Sequence, residues 1–252
     1  MLKKLLFSLS ILFFTYSCDD GLGNEPLIGK YEEKELGYAA NDLLSNSSFS
    51  ALKVQVLYQP GMQPTTGGLD YLENFLNERL NKPGGISIIL KSIPTENRNS
   101  YSVNQLIDLE EQHRDIYNEE DTLSICFLFV DAEYAGNNGN AKALGIAYRS
   151  TSMTIFQETI KANSGGPLEP SQSTLESAVL GHEMGHILGL VNVGTDMVND
   201  HQDEAHGAHC DVEDCLMYYA AETTASLGNL TGGNIPELDA QCIADLRANG
   251  GK

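Results

Sequence analysis

The sequence predicts an α+β fold: a mixed, twisted five-stranded sheet with helices packed on it. Three observations predict it. Five segments have the apolar patterning of strands, helical stripes separate the first three of them, and a long, nearly all-apolar helix follows the last. Ala51 to Tyr58 (ALKVQVLY) alternates apolar and polar residues, as a strand does. Pro60, Gly61, Pro64, Gly67 and Gly68 form a loop. Leu69 to Leu80 then carries Leu69, Leu72, Phe75, Leu76 and Leu80 on one helical face. Pro83-Gly84-Gly85 ends that helix, and Ile86 to Ile93 (ISIILKSI) reads as a second strand. Ser102 to Tyr117 places Val103, Leu106, Ile107 and Ile116 on a second helix with an acidic outer face. Leu123 to Val130 (LSICFLFV) is apolar almost throughout, which predicts a central strand buried on both faces. Leu144 to Tyr148 and Met153 to Gln157 are two shorter strands. Strand-helix-strand-helix-strand order implies right-handed crossovers. The last helix is expected from Ser173 to Leu190, capped by Ser173 or Thr174, with Glu176 in its first turn.

Composition bounds the function. With 252 residues and 41% hydrophobic content the chain can bury a core. Its 35 acidic and 15 basic side chains give a net charge of -20, which argues against nucleic acid or an anionic membrane surface as a partner. No Lys or Arg occurs between Lys161 and Arg247. The ordinary explanation of such acidity is solubility. Nothing in the sequence indicates an oligomer.

The N-terminal segment, residues 1–18, is a targeting signal rather than part of the fold. Lys3 and Lys4 precede an apolar run from Leu5 to Tyr16, too short to span a membrane stably. Thr15-Tyr16-Ser17-Cys18 resembles the lipobox of bacterial lipoproteins, with Thr15 where Leu is usual. The resemblance implies lipidation at Cys18, an anchor in the outer membrane and an extracytoplasmic location. Asp19 and Asp20 resemble acidic surface-export signals. The alternative is an ordinary secretory signal. Residues 19–50 read as a tether with one short helix, and residues 51–252 as the folded domain.

The chemistry lies on the last helix, in His182-Glu183-Met184-Gly185-His186. Residues four apart share a helix face, so His182 and His186 can chelate one Zn²⁺ at about 2.0–2.1 Å each. Glu183 is turned by about a hundred degrees around the axis. It reaches a water at the metal rather than the metal itself, the placement of a general base. Ala178, Val179, Leu180, Ile187, Leu188 and Leu190 make the helix buried, and buried imidazoles need partners. Gly189 follows, able to adopt positive φ and stop the helix. Cys215-Leu216-Met217-Tyr218-Tyr219 comes next in order.

These residues resemble the metzincin zinc metallopeptidases, whose pattern is HExxHxxG, a third ligand and a Met-containing turn beneath the metal. The matching positions are His182, Glu183, His186, Gly189 and Met217. The resemblance implies an active-site helix ending at the Gly, a small C-terminal subdomain, and Leu144 to Tyr148 as the antiparallel edge strand that pairs with substrate. One position departs: Asn192 stands where the third ligand is usual. His209-Cys210, four residues, Cys215, one residue, Met217 is similar to the HC-x4-C-x-M stretch of archaemetzincins. That likeness implies His209 as third ligand, with His201 and His206 as alternatives and Asn192 or Asp196 behind them. Archaemetzincins also hold a second, structural zinc on four Cys. Here only Cys242 follows, so a short disulfide between Cys210 and Cys215 is expected instead, with Cys126 a buried thiol. Tyr219 is expected to approach the transition state or to line the pocket.

The resemblance thus implies a zinc endopeptidase acting on protein or peptide substrates, with one catalytic Zn²⁺ and Glu183 as base. The alternative is a non-catalytic surface lipoprotein that binds a protein partner and keeps zinc for structure. Two oxygen-rich turns are of a kind that takes Ca²⁺: Asp131, Glu133, Asn137, Asn138 and Asn140, and Asp196, Asp200, Asp203 and Glu204. The ordinary explanation of both is a plain polar turn.

Overall fold

Apolar side chains on alternate faces of the central strand build two cores at once. The computed structural model describes residues 31–139, 141–224, 230 and 233–252. The signal segment, Cys18, the tether up to residue 30 and Asn140 lie outside the described residues. In chain order the elements are α1 (Ala40–Leu44), β1 (Ala51–Tyr58), α2 (Thr66–Arg79), β2 (Gly85–Ser92), β3 (Ser100–Tyr101), α3 (Val103–His113), β4 (Thr122–Val130), β5 (Glu133–Tyr134), β6 (Gly145–Arg149), β7 (Ser152–Phe156), α4 (Gln157–Ala162) and α5 (Gln172–Ile187). A short 3-10 turn, η1 (Tyr219–Glu222), and α6 (Ala240–Ala248) follow.

The five-stranded sheet has the order β2-β1-β4-β7-β6, and the pairs along it are parallel except β7 with β6. Leu123, Ile125, Phe127 and Phe129 of β4 point into the larger core with α2 and α5, while Cys126, Leu128 and Val130 point into the smaller core against Leu106 and Leu109 of α3. That two-sided burial is why the strand reads as a continuous apolar run. β6 is the antiparallel edge, as the metzincin likeness implied, with an irregularity between Ala147 and Arg149. It lies against α5, where a side chain at Gly145 would meet Val179 Cγ1 at 2.7 Å and Glu183 Cγ at 2.8 Å.

Three helix boundaries differ from the sequence reading, each for a capping reason. Thr65 caps α2 by accepting from the Gly68 amide at 3.0 Å, so the helix starts before Leu69. α3 is opened by a Ser102/Gln105 capping box. It stops at His113, because Arg114 turns inward to Glu110 at 2.7 Å and to the Ser124 carbonyl at 3.1 Å. Ser171, not Ser173 or Thr174, caps α5. Glu176 instead reaches out of the helix, accepting from the Thr65 amide at 2.8 Å and from Gln157 at 2.6 Å.

Residues 31–50 are not a tether, which corrects the sequence expectation. Tyr31, Leu43, Leu44 and Phe49 are buried in the larger core. Lys82 clamps the segment, donating to the carbonyls of Asp42, Ser45 and Phe49 at 2.7, 2.5 and 2.8 Å. The buried residues there follow no helical or strand period, so the pattern hid them.

Candidate metal centre

α5 carries His182 and His186 one turn apart, and their Nε2 atoms lie 3.1 Å from each other. The helix ends immediately below. Gly189, at φ +74, donates to the His186 carbonyl at 2.9 Å, and Leu190 donates to the Gly185 carbonyl at 3.0 Å. This is the Schellman pattern, and it turns the chain under the site.

The returning chain brings His209. Its ring centroid lies 5.3 Å from that of His182 and 5.1 Å from that of His186. Outward-facing nitrogens fix two of the three rings. His182 Nδ1 pairs with the Leu216 carbonyl at 2.7 Å, and His209 Nδ1 with the His206 carbonyl at 2.8 Å. Each Nε2 is thereby left facing inward. The loop behind is held by Cys210 donating to the Met217 carbonyl at 2.8 Å. Met217 is fully buried, and its sulfur sits so close to α5 that a Cβ on Gly185 would lie 2.2 Å from it.

A fourth group completes the cluster. Glu222 Oε2 lies 3.7, 4.0 and 3.5 Å from Nε2 of His182, His186 and His209. The sequence reading missed it, although Glu222 is the only carboxylate between Asp214 and Glu237. Burial works against its charge, but His182 and His209 outweigh burial and hold it well below the usual carboxylate range.

Glu183 follows His182 on α5 and is buried. Its Oε2 accepts from the Ala147 amide of β6 at 2.7 Å. Burial, then the charge of Glu222, push its carboxyl well above the ordinary range, and the Ala147 amide opposes them. Burial and the neighbouring His182 push the His186 imidazole well below its ordinary value, so it is neutral. Glu183 Oε1 and His209 Nε2 are buried and have no hydrogen-bond partner among the described residues. Pre-oriented imidazoles that turn their nitrogens to one point are the donor set a zinc ion takes.

The alternative third ligands are elsewhere. His206 pairs with Asp203 at 2.6 Å and stacks on Tyr219 with ring centroids 3.6 Å apart. It serves His209 only through its backbone carbonyl. That stacking fixes the Tyr219 ring against His206.

His201 belongs to a second, separate cluster. It is buried, with Nε2 2.7 Å from Asp245 Oδ2 and Nδ1 3.3 Å from Cys210 Sγ. Cys242 Sγ, on α6, lies 3.7 Å from Cys215 Sγ. The expected Cys210–Cys215 disulfide is absent: both are free thiols, as are Cys242 and the buried Cys126 of β4. Cys215 turns to Cys242, and Cys210 turns to His201. Hydrogen bonds from Cys210 and Cys242, joined by the amides of Asp239 and Met217, hold the Cys215 thiol far below its ordinary range. One ligating atom each of His201, Cys210, Asp239 and Cys242 lies within 4.8 Å of all the others. Asp239 caps α6 through Oδ1, on the amides of Gln241 and Cys242, and keeps Oδ2 3.5 Å from Cys210 Sγ. Thiols, an imidazole and a carboxylate are donor types that zinc takes.

No family model matches the chain, and no curated protein matches it in sequence. Solved structures do. The archaemetzincin of Methanopyrus kandleri is similar with a TM-score of 0.52 and 18% identity, covering 79% of this chain and 96% of that one. Metalloproteinase-II of Bacteroides fragilis gives a TM-score of 0.45 and 15% identity over 90% of this chain and 59% of that one. At such identity the likeness is one of fold. The chain shares the α+β fold of that archaemetzincin, and His182, His186, His209 and Glu222 form a group able to hold a metal ion.

Proposed function

We propose that this chain is a zinc-dependent endopeptidase in which His182, His186 and His209 hold the metal and Glu183 is the general base. The observation that carries this reading is the convergence of His182, His186 and His209, with Glu183 buried on the helix of the first two and its Oε1 without a hydrogen-bond partner among the described residues. When bound, zinc supplies a Lewis acid for the peptide carbonyl and acidifies the attacking water.

The chain's own residues supply the rest. The Leu216 and His206 carbonyls orient the rings of His182 and His209 so that their Nε2 atoms face the site. Glu183, inside low-dielectric surroundings, takes the proton from the attacking water at Oε1 and hands it to the leaving amine. The Ala147 amide anchors its Oε2 to β6, the edge where an extended substrate would add as a strand. A second, structural zinc on Cys210, Cys215, Cys242 and His201 would tie α6 to the loop that delivers His209, with Asp245 orienting the imidazole.

Several further parts of the reading rest on sequence: lipid anchoring at Cys18, an extracytoplasmic location, and a preference for neutral or basic peptides where no Lys or Arg lies between residues 161 and 247. A non-catalytic lipoprotein with a structural zinc is the second reading. Glu222 favours it, since a fourth protein ligand closes a site; Glu183 opposes it, since a structural site needs no base. The test is Glu183→Ala. It should retain zinc and lose cleavage of unstructured protein substrates, and wild-type cleavage by that variant would remove Glu183 as base.

A further inference from the structure

The three imidazole nitrogens and Glu222 Oε2 mark four corners of a small polyhedron. Its measured edges are 3.1 Å between His182 and His186, and 3.5, 3.7 and 4.0 Å from Glu222 to the three His. Ligand bonds of about 2.0–2.1 Å at tetrahedral angles place neighbouring donors roughly 3.3 Å apart. The fourth corner, which a hydrolytic zinc site keeps for water, is therefore within about 0.7 Å of being filled by this side chain.

Charge points the same way. Glu222 sits in the stretch without Lys or Arg, and its ion-pair contacts among the described residues are the three histidines. A carboxylate oxygen facing three imidazole nitrogens is a donor set that a cation completes. The side chain also keeps a route outward: 34% of it is exposed, against 0, 7 and 10% for the three histidines. Its backbone is fixed, with the Glu222 carbonyl accepting from Leu144 at 2.9 Å and the Thr224 amide donating to Lys142 at 2.9 Å. Only the side chain need move to open the corner.

We infer that Glu222 is an exchangeable fourth zinc ligand that closes the three-His site at rest. The inference rests on the zinc reading above and adds a built-in latency that needs no separate pro-segment. The anchoring of residues 222–224 to residues 142–144 puts the closing group next to β6, so strand addition by a substrate and release of Glu222 share one stretch of backbone.

Azide binding to the cobalt-loaded full chain tests it, read by the visible absorption of Co²⁺. A thiolate site with four protein donors has no exchangeable position, so azide reports on the three-His site alone. Wild type should show no azide-dependent spectrum at concentrations that saturate Glu222→Gln. Glu222→Asp, which keeps the charge but shortens the arm, should also bind azide, and cobalt affinity at that site should fall at least tenfold in both variants. Equal azide binding by wild type and Glu222→Gln would overturn the inference while leaving the three-His centre intact. If His186→Ala loads as much cobalt as wild type, the zinc reading itself fails, and the inference with it.

Discussion

Replacing Gly185 by Ala tests whether Met217 packs beneath the histidines. The added Cβ would lie 2.2 Å from the Met217 sulfur and 3.2 Å from its methyl carbon. Ordinary contacts of this kind are roughly 3.5–4.0 Å, so the thioether must retreat by more than about 1 Å. Met217 is fully buried and has no open side to retreat into. Helix propensity alone favours Ala at this mid-helix position by about 1 kcal/mol. Overpacking opposes it by about 1–3 kcal/mol, so Gly185→Ala should be mildly destabilising where an exposed helix would gain. Met217→Ala alone should lose about 2–5 kcal/mol. In the double variant the new methyl occupies vacated space, and the propensity gain returns. The pair should then couple by about 2 kcal/mol, well beyond the roughly 0.3–0.5 kcal/mol seen for independent sites. Urea unfolding of the four proteins at one fixed zinc concentration measures this. Additivity within about 0.5 kcal/mol would refute the contact and the Met-turn role derived from it.

Other outcomes follow from the same geometry. His209→Ala should remove one bound zinc per chain by elemental analysis. His206→Ala should leave the metal content unchanged, because only its carbonyl is used. Cys242→Ser should lose the other zinc and abolish the stabilisation that zinc gives over chelator in a thermal melt; an unchanged metal count would return the cysteines to plain core packing. Burial pulls the Lys82 ammonium down to about 8 in the fold. The unfolded chain then holds that proton longer, up to about pH 10. Stability of wild type relative to Lys82→Met should therefore rise between pH 8 and about 10, and a flat difference would contradict the burial. At pH 7 the same variant leaves three carbonyls without their donor and should lose about 1–3 kcal/mol.

The parts legible in the sequence are those set by local period. All five strands of the main sheet fall within a residue or two of the positions that alternation and apolar runs predict, because inward-facing side chains recur every second residue and β4, at the centre, meets a core on each face. His182, Glu183 and His186 were readable because one helical turn fixes their geometry. Gly189 was readable because the chain needs positive φ there. Groups assembled over distance were harder. His209 could be preferred over His201 only through likeness to a family stretch, since both lie in one acidic loop and the choice is made by Asp245, 44 residues beyond His201. The thiol cluster depends on α6 docking Cys242 against Cys215, which no spacing rule foretells when the second half of a Cys pair is missing. Glu222 carried one weak signal, its isolation as a carboxylate, and its placement follows from backbone pairing with residues 142–144. Residues 31–50 looked like linker because their buried side chains follow no period.

Anomalous diffraction at the zinc edge from the zinc-loaded full chain tests the central claim most directly. The account predicts one peak among Nε2 of His182, His186 and His209, about 2.0–2.1 Å from each. A second peak should lie among Cys210, Cys215, Cys242 and His201. No peak at the three-histidine cluster, or one completed there by any residue other than His209 as the third imidazole, would contradict it.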